Sequence, residues 1–235
     1  MRRTLFFFLL LIGTAVGQYS GHKFSIGVNA VYTTTAKLYL SPKSSDPVLR
    51  NNYFPLAGIV NPSVNFRYRL TDDLILGLST EYMKKTAVGW NLTVFSGNRT
   101  VTVPVTDGFK MIPVELSLHY LIPFSTERFK FLMGGGAGYY YGEQVREFGG
   151  AGVTSSESSF AYGIQVSISM DYEITKNFIF HSEMKFRDPQ FTVNNKYTKT
   201  QVMYNGGIVN LPQSTFYSKI NVDGVTFLLG AAYNF

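Results

Sequence analysis

The sequence predicts an all-β chain: an eight-stranded antiparallel up-and-down transmembrane β-barrel after a cleaved signal peptide. Three observations lead there. Apolar and polar residues alternate with a period of two from Lys23 to the end. The connections between alternating segments run short, long, short, long. Charges near the middle of the segments fall on the face opposite the bulky apolar residues. Composition agrees, with 20 Phe and 16 Tyr against one Trp in 235 residues, 22 Gly, no Cys and a formal net charge of +6. Lack of Cys excludes a disulfide scaffold, a thiolate metal site, a cysteine nucleophile and a lipidated cysteine anchor. The length fits one barrel-sized domain, and an apolar content of 45% exceeds what a disordered chain carries.

The chain opens on Arg2 and Arg3, then the apolar run from Leu5 to Ile12, then the small residues Ala15 and Gly17. That order is a secretory signal peptide, with cleavage expected after Gly17. A twin-arginine export signal is the weaker reading. The run is too short for a spanning helix, which needs about 20 apolar residues. Residues 1–17 are therefore assigned to the signal peptide and 18–235 to the barrel, and loss of the two arginines takes the charge from +6 to +4.

The clearest strand is 160–174, where Phe160, Tyr162, Ile164, Val166, Ile168, Met170, Tyr172 and Ile174 alternate with small or polar residues. The same reading gives strands at about 23–34, 57–70, 74–83, 109–122, 129–143, 178–188 and 217–235. Residues 71–73, 123–128 and 175–177 are short polar turns, whereas 35–56, 84–108, 144–158 and 189–216 are long. Short periplasmic turns and long extracellular loops are the asymmetry of a membrane barrel, and an even strand number puts both termini in the periplasm. Within the long connections, Trp90 to Phe95 with Thr100 to Val105, and Lys199 to Tyr204 with Ile208 to Leu211, read as hairpins that extend the wall.

A soluble barrel alternates too, but with its apolar face inward. Three features favour the inverted, membrane arrangement. Gly134, Gly136, Gly138 and Gly142 share a face with Lys130 and Tyr140, which suits a narrow lumen. Aromatics gather at the ends of the apolar face in two girdles. Phe24, Tyr68, Tyr120, Phe129, Tyr172, Phe178, Tyr233 and Phe235 lie near the turns, and Tyr32, Tyr82, Tyr139, Tyr141, Tyr162 and Phe186 near the loops. The chain also stops on an aromatic in phase with Phe227, Leu229, Ala231 and Tyr233. A lipid-facing Lys or Arg at the bilayer midplane costs about 2–4 kcal/mol. Arg67, Arg69, Glu81, Glu115, Lys130, Asp171, Glu173, Glu183, Lys185 and Arg187 all take the inward phase, as a luminal ionic network of five bases and five acids. Lys84, Lys110, Lys219 and Asp223 take the outward phase, at or past the upper rim. Asp223, for example, is twelve residues from Phe235, about 30 Å up at 3.4 Å per residue and about 40° tilt.

Ile112 to Tyr120, the glycine-laden strand Phe131 to Gly142 and the closing Ala232-Tyr233-Asn234-Phe235 carry a resemblance. The chain resembles the small Gram-negative outer-membrane barrels of the OmpX, OmpW and OmpA-transmembrane kind, and is similar above all to the Bacteroidota family that includes PorT. The resemblance implies an outer-membrane location and a C-terminal assembly signal, Phe227, Tyr233 and Phe235, read by the barrel-assembly machinery. It also implies two alternative roles: a component of a protein secretion apparatus, and a narrow channel for small or hydrophobic solutes.

The function read from the residues is a non-enzymatic structural or surface-interaction barrel with a filled ionic lumen. Eight strands leave room only for side chains inside, and balanced charges there should pair. The enzyme reading, a lipid A-modifying barrel, is the weakest. His22, His119 and His181 are the only imidazoles; alternation turns Ser182 away from His181 and Glu183, and no serine is assigned to His119. A base without a nucleophile is not a site. Three scattered histidines without cysteine show no metal spacing, and no cofactor is expected. Asn91-Leu92-Thr93 and Asn98-Arg99-Thr100 match glycosylation sequons but read as hairpin residues. Across the loops Lys37, Lys43, Arg50, Lys84, Lys85, Arg99, Arg146, Lys196 and Lys199 outweigh Asp46, Asp107, Glu147 and Glu157, a net of +5. Such a basic rim suits outer-membrane lipid and lipopolysaccharide. The hairpin edges suit a protein partner. No basic-aromatic motif points to nucleic acid, and a monomer is expected.

Overall fold

A backbone surrounded by hydrocarbon must pair every N–H and C=O internally, so strands that alternate in this way must close into a ring. The computed structural model describes residues 21–97, 99–155, 159–211 and 215–235, and in it the ring is closed at the level of β3, where β2, β3 and β5 pair in turn. The expected signal peptide and its cleavage site lie outside the described residues. Among these the strands are β1 (Phe24–Tyr39), β2 (Tyr53–Arg69), β3 (Leu74–Glu81), β4 (Met83–Ser96), β5 (Arg99–Leu121), β6 (Phe129–Phe148), β7 (Ala151–Ser155), β8 (Ser159–Glu173), β9 (Phe178–Arg187), β10 (Gln190–Tyr197), β11 (Gln201–Tyr204), β12 (Gly207–Asn210), β13 (Thr215–Asn221) and β14 (Val225–Asn234). One short helix, α1 (Pro47–Asn51), follows β1 and is capped by the Asp46 side chain, which accepts from the Val48 N–H at 2.8 Å.

The strands make eight antiparallel staves: β1, β2, β3 with β4, β5, β6, β7 with β8, β9 with β10, and β13 with β14. β11 and β12 form a hairpin that joins β4 through Asn210 and Phe95. Closure runs from Ser25 opposite Asn234 to Thr33 opposite Thr226, with Phe24 and Phe235 exchanging N–H to C=O bonds of 3.1 and 2.9 Å. Among the described residues no helix is long and apolar enough to cross a membrane.

The three short turns share one device. Thr71, Thr126 and Thr175 each accept, through their hydroxyls, the N–H three residues on: Leu74, Phe129 and Phe178, each at 3.1 Å. Thr-x-x-(Leu/Phe) thus satisfies a turn donor that would otherwise be left over at the membrane edge.

Above this turn end the outer face is apolar. Ile26, Val28, Val64, Leu78, Leu116, Ile164, Val166, Ile168 and Leu229 are exposed. On β14 the outward row from Val225 to Phe235 rises about 26 Å at 3.4 Å per residue and about 40° tilt, which matches an apolar band about 25 Å tall. Aromatic rings border the band. Phe24–Tyr68, Phe129–Tyr172 and Phe178–Tyr233 sit 4.8–5.1 Å apart at the turn end, and Tyr139–Phe160 and Tyr139–Tyr162 are 5.5 Å apart at the other.

Past the band the wall continues, which corrects the expected loops. Residues 35–56, 84–108, 144–158 and 189–216 are expected as connections with hairpins at 90–105 and 199–211; both hairpins are present, and strand further fills 84–89, 144–148, 151–155, 190–197 and the two ends of 35–56. In this upper storey the dress of the wall inverts. The outward positions carry Lys37, Tyr39, Thr102, Glu143, Thr192, Asn194, Lys196 and Lys219, while Leu38, Leu56, Met83, Phe109, Met111, Phe191, Val193 and Ile220 are buried inside. The phase itself slips at the boundary. Buried positions move from odd to even between Thr33 and Ala36 on β1, and between Ile59 and Leu56 on β2, beside Gly58 at φ 64°. On the last stave the pairing with β1 shifts by one residue across Val222 to Gly224. A Cβ on Gly224 would lie 2.5 Å from the Thr35 N, so only glycine allows that approach.

Adjacent glycines on β6 give a matched test. A Cβ on Gly136 would stand 2.0 Å from the Leu116 carbonyl O, whereas one on Gly135, on the lipid side, meets nothing nearer than 3.6 Å. Gly136→Val is expected to cost at least about 1–3 kcal/mol and to reduce the folded fraction seen by heat-modifiable electrophoretic mobility. Gly135→Val is expected to fold as the parent does.

Candidate functional site

The candidate site is the lumen, and it is stratified. At the turn end Ile75, Leu121 and Leu132 form an apolar floor. Arg69, Lys130 and Glu173 lie at its level or nearer the turns, and the other charged residues lie above it. Arg67, Arg69, Glu81, Glu115, Lys130, Asp171, Glu183, Lys185 and Arg187 are all buried, and Glu173 is half-buried. Period-two strands place these side chains inward, and inside a ring of eight staves they meet across the lumen.

Two clusters result. In the first, Arg67 donates to Asp171 at 2.9 Å, His181 Nδ1 donates to Asp171 at 2.5 Å, and Glu183 stands 3.3 Å from His181 Nε2. In the second, Glu115 accepts from Lys185 at 2.7 Å, from Arg187 at 3.0 Å and from the Tyr140 hydroxyl at 3.0 Å. Arg187 also pairs with Glu81, which accepts from Asn61 at 2.5 Å. Lys130 lies directly across the β6–β8 ladder from Asp171. Nine of the ten expected charges are thus buried, seven of them (Arg67, Asp171, Glu183, Glu81, Glu115, Lys185 and Arg187) in these two clusters; His181 joins the first and His119 is buried beside it, both of which the sequence reading left as ordinary lumen or rim residues. Their inward phase was the available signal.

One sequence reading needs correction. His119 was given no serine, yet the Ser117 Oγ is 2.8 Å from its Nε2. Residues i and i+2 share a strand face, so Ser117-Leu118-His119 juxtaposes them by geometry alone. Chemically this is an incomplete dyad: His119 Nδ1 has no hydrogen-bond partner among the described residues to orient it. The void beside it measures about 20 Å³, and others of about 30 and 10 Å³ lie below and above. A single water needs about 10–15 Å³ of such space, so an acyl or peptidyl substrate has no room.

Over the ionic layer sits the apolar cluster around Leu38, Leu56, Phe109, Tyr140 and Phe191. A second polar layer follows. Arg146 grips Asp107 with two bonds, 2.6 and 2.8 Å, and donates to Tyr197 at 3.1 Å; Gln144, Asn195 and Ser218 complete it. The top is closed by Leu92, Val94, Val103, Val105, Phe148 and Val202. This corrects the count of rim charges: Arg146 and Asp107 face each other inside the wall. Unbroken alternation on β5 and β6, in phase with Glu115 and Lys130, turns them inward.

The outward-phase charges occupy the rim. Lys110 stands 2.7 Å from Glu143, and Lys37 pairs with Asp223. The Lys110 ammonium and the Tyr141 hydroxyl hold the Glu143 carboxyl below its usual range. Asp223 holds Lys37 above its usual range by the hydrogen bond between them. Lys84 lies opposite Lys110 and is exposed. Of the expected girdle residues, Phe24, Tyr120, Phe178, Tyr32, Tyr82, Tyr139, Tyr162 and Phe186 are exposed, and Tyr68 and Tyr172 half-buried. Phe227, Tyr233 and Phe235 face outward on the last stave, exposed.

An apolar exterior around a charged, side-chain-filled interior is the inverse of a soluble barrel, and it decides the fold. The chain has the fold of a small Gram-negative outer-membrane β-barrel. No known family profile matches it, and no curated protein does. Among solved structures, OprG from Pseudomonas aeruginosa is similar at a TM-score of 0.61 and 14% identity, covering 92% of this chain and 98% of OprG. Ail of Yersinia pestis aligns at 0.47 and 14%, covering 91% and 99%, and Neisserial surface protein A at 0.45 and 15%, covering 90% and 97%. With OprG, at 14% identity, what is shared is the fold.

Glu115 tests the network of this outer-membrane barrel. Its loss leaves Lys185 and Arg187 crowded with too little negative charge, so Glu115→Leu is expected to destabilise the barrel by about 3–5 kcal/mol in urea unfolding from vesicles. Glu115→Gln, which keeps the shape and two hydrogen bonds, is expected to cost less.

Proposed function

We propose that this protein is a non-enzymatic outer-membrane barrel with a closed lumen, whose rigid upper storey stands outside the cell as a surface for interaction. Both termini then lie in the periplasm. The observation that carries this reading is the stacking of buried apolar and polar layers inside the wall, with voids of only about 10–30 Å³ beside the ionic layer. The lipid surroundings and lipopolysaccharide are its permanent partners, and the barrel-assembly machinery would read Phe227, Tyr233 and Phe235 during insertion. A protein partner is supported by apolar side chains left bare toward the hairpin end, where Val88 and Trp90 are each 70% exposed.

A second reading, passage of a small hydrophobic solute, is favoured by one feature. β2 pairs with β3 only from Ser63 to Arg69, and above that β2 and β4 have no ladder between them. The seam is bridged by Lys85, which donates to the Gly58 carbonyl at 3.0 Å. The secretion role implied by the PorT resemblance rests on that resemblance alone.

Purified protein in planar bilayers is expected to be electrically silent. Steady single-channel steps would contradict the closed lumen. Equilibration of a lipophilic fluorophore across vesicles that depends on the protein and is abolished by a disulfide between positions 58 and 85 would instead support passage at the seam.

A further inference from the structure

We propose that the outer face of β1, β2 and β13, beyond the apolar band, is a binding site for a phosphorylated saccharide, the chemistry presented by lipopolysaccharide in the leaflet around the barrel. This rests on the orientation proposed above.

The site is a continuous web of ammonium groups and tyrosine rings. Lys219 lies over the Tyr39 ring at 4.1 Å, Lys37 over Tyr53 at 5.4 Å and Lys43 over Tyr217 at 3.2 Å, and the rings of Tyr39 and Tyr53 are 5.6 Å apart. Pairing fixes the arrangement. Tyr39 is directly opposite both Tyr53 and Lys219, while Tyr217 is opposite Asn194, two residues before Lys196. Lys196 is thus a diagonal neighbour of Tyr217, about 7–8 Å away. Lys37 stands in the same relation to Lys219. Four lysines therefore share one face of three adjoining staves and β10. The acidic groups there are Asp223, which is tied to Lys37, and Asp188, exposed between β9 and β10. Lys43, Lys196 and Lys219 have no carboxylate partner among the described residues.

Three physical points select the ligand. Ammonium groups seated on rings are held in place, so the ordering that binding requires has been done in advance. Like charges gathered on one face repel, and a polyanion relieves that repulsion. Height places the site well beyond the acyl chains, at the level of saccharide. Lys219 is sixteen residues from Phe235, about 42 Å up at 3.4 Å per residue and about 40° tilt, against a band about 25 Å tall. Tyrosine rings add amphipathic faces and hydroxyl donors suited to sugars. An ordinary solvated face would scatter its lysines among acids, as Lys110 is set against Glu143.

The test uses the full barrel in detergent and in lipid nanodiscs, with binding of lipopolysaccharide and of enzymatically dephosphorylated lipopolysaccharide measured by calorimetry. Lys43→Ala with Lys219→Ala is compared with Lys84→Ala with Lys110→Ala, a charge-matched pair on β4 and β5. The site predicts about tenfold weaker binding for the first pair and for the dephosphorylated ligand, and little change for the second pair. Equal losses for both pairs would reduce the effect to net charge and overturn the site. Undiminished binding of dephosphorylated lipopolysaccharide would also overturn it. Tighter binding of a soluble sulfated polysaccharide than of lipopolysaccharide would overturn the assignment of the occupant. Heat-modifiable mobility confirms that each variant is folded. Labelling intact cells with an impermeant amine reagent separates the two levels: Lys84, exposed and outside the site, labelled without saccharide binding at Lys43 and Lys219 sinks this site alone, and Lys84 unlabelled sinks the proposed orientation.

Discussion

Hydrocarbon offers nothing to a backbone amide, and this fixes the molecule. Every N–H and C=O in the band must find a partner in the sheet, so the sheet has no permissible edge and β14 must return to β1. Closure at eight staves then sets the bore, which is the width of side chains and no more. Whatever points inward is thereby buried, and buried charge is tolerated only when paired. The Arg67–Asp171–His181 and Glu115–Lys185–Arg187–Glu81 clusters follow from closure and bore together.

The wall then meets two solvents along its length. In the band lipid wets the outside, so apolar residues go out and charges go in. Higher up water wets the outside, and the same staves carry lysine, threonine and asparagine outward over an apolar fill. Tyr140 marks the join: its ring is buried in the apolar cluster while its hydroxyl donates to Glu115 in the ionic layer below. The strand breaks at Tyr82, Asp188–Pro189 and Val222–Gly224, with the slips on β1 and β2, cluster around this level. Bulges and breaks of that kind re-aim side chains without ending a stave.

This explains what was legible in the residues and what was not. Period-two runs such as 160–174 gave the band strands, because lipid on one side and a filled bore on the other leave no ambiguity about face. The charge phases followed from the same logic. The upper storey was harder. Ala36, Leu38 and Leu56 are out of phase with Thr33 and Ile59, so a fixed alternation runs out at the slip and reads as loop. Arg146 and Asp107 looked like rim charges because 84–108 and 144–158 read as loop, although both keep the inward phase of β5 and β6. Ser117 beside His119 needed only the i, i+2 rule to be found. The Thr-x-x-(Leu/Phe) turns were in view as three short polar segments, but their common hydroxyl bond becomes visible only when the donors are placed.

The absence of cysteine makes the central claim, a wall that reverses its dress at one level, directly measurable. Single cysteines bearing a nitroxide would be placed at the outward positions Val28, Leu229, Thr192 and Asn194, and collision with lipid-soluble oxygen and with a water-soluble nickel chelate compared in vesicles. The reversal predicts oxygen-dominated collision at 28 and 229, chelate-dominated collision at 192 and 194, and neither at the inward Val193. Oxygen-dominated collision at 192 and 194, or free chelate access at 193, would contradict it.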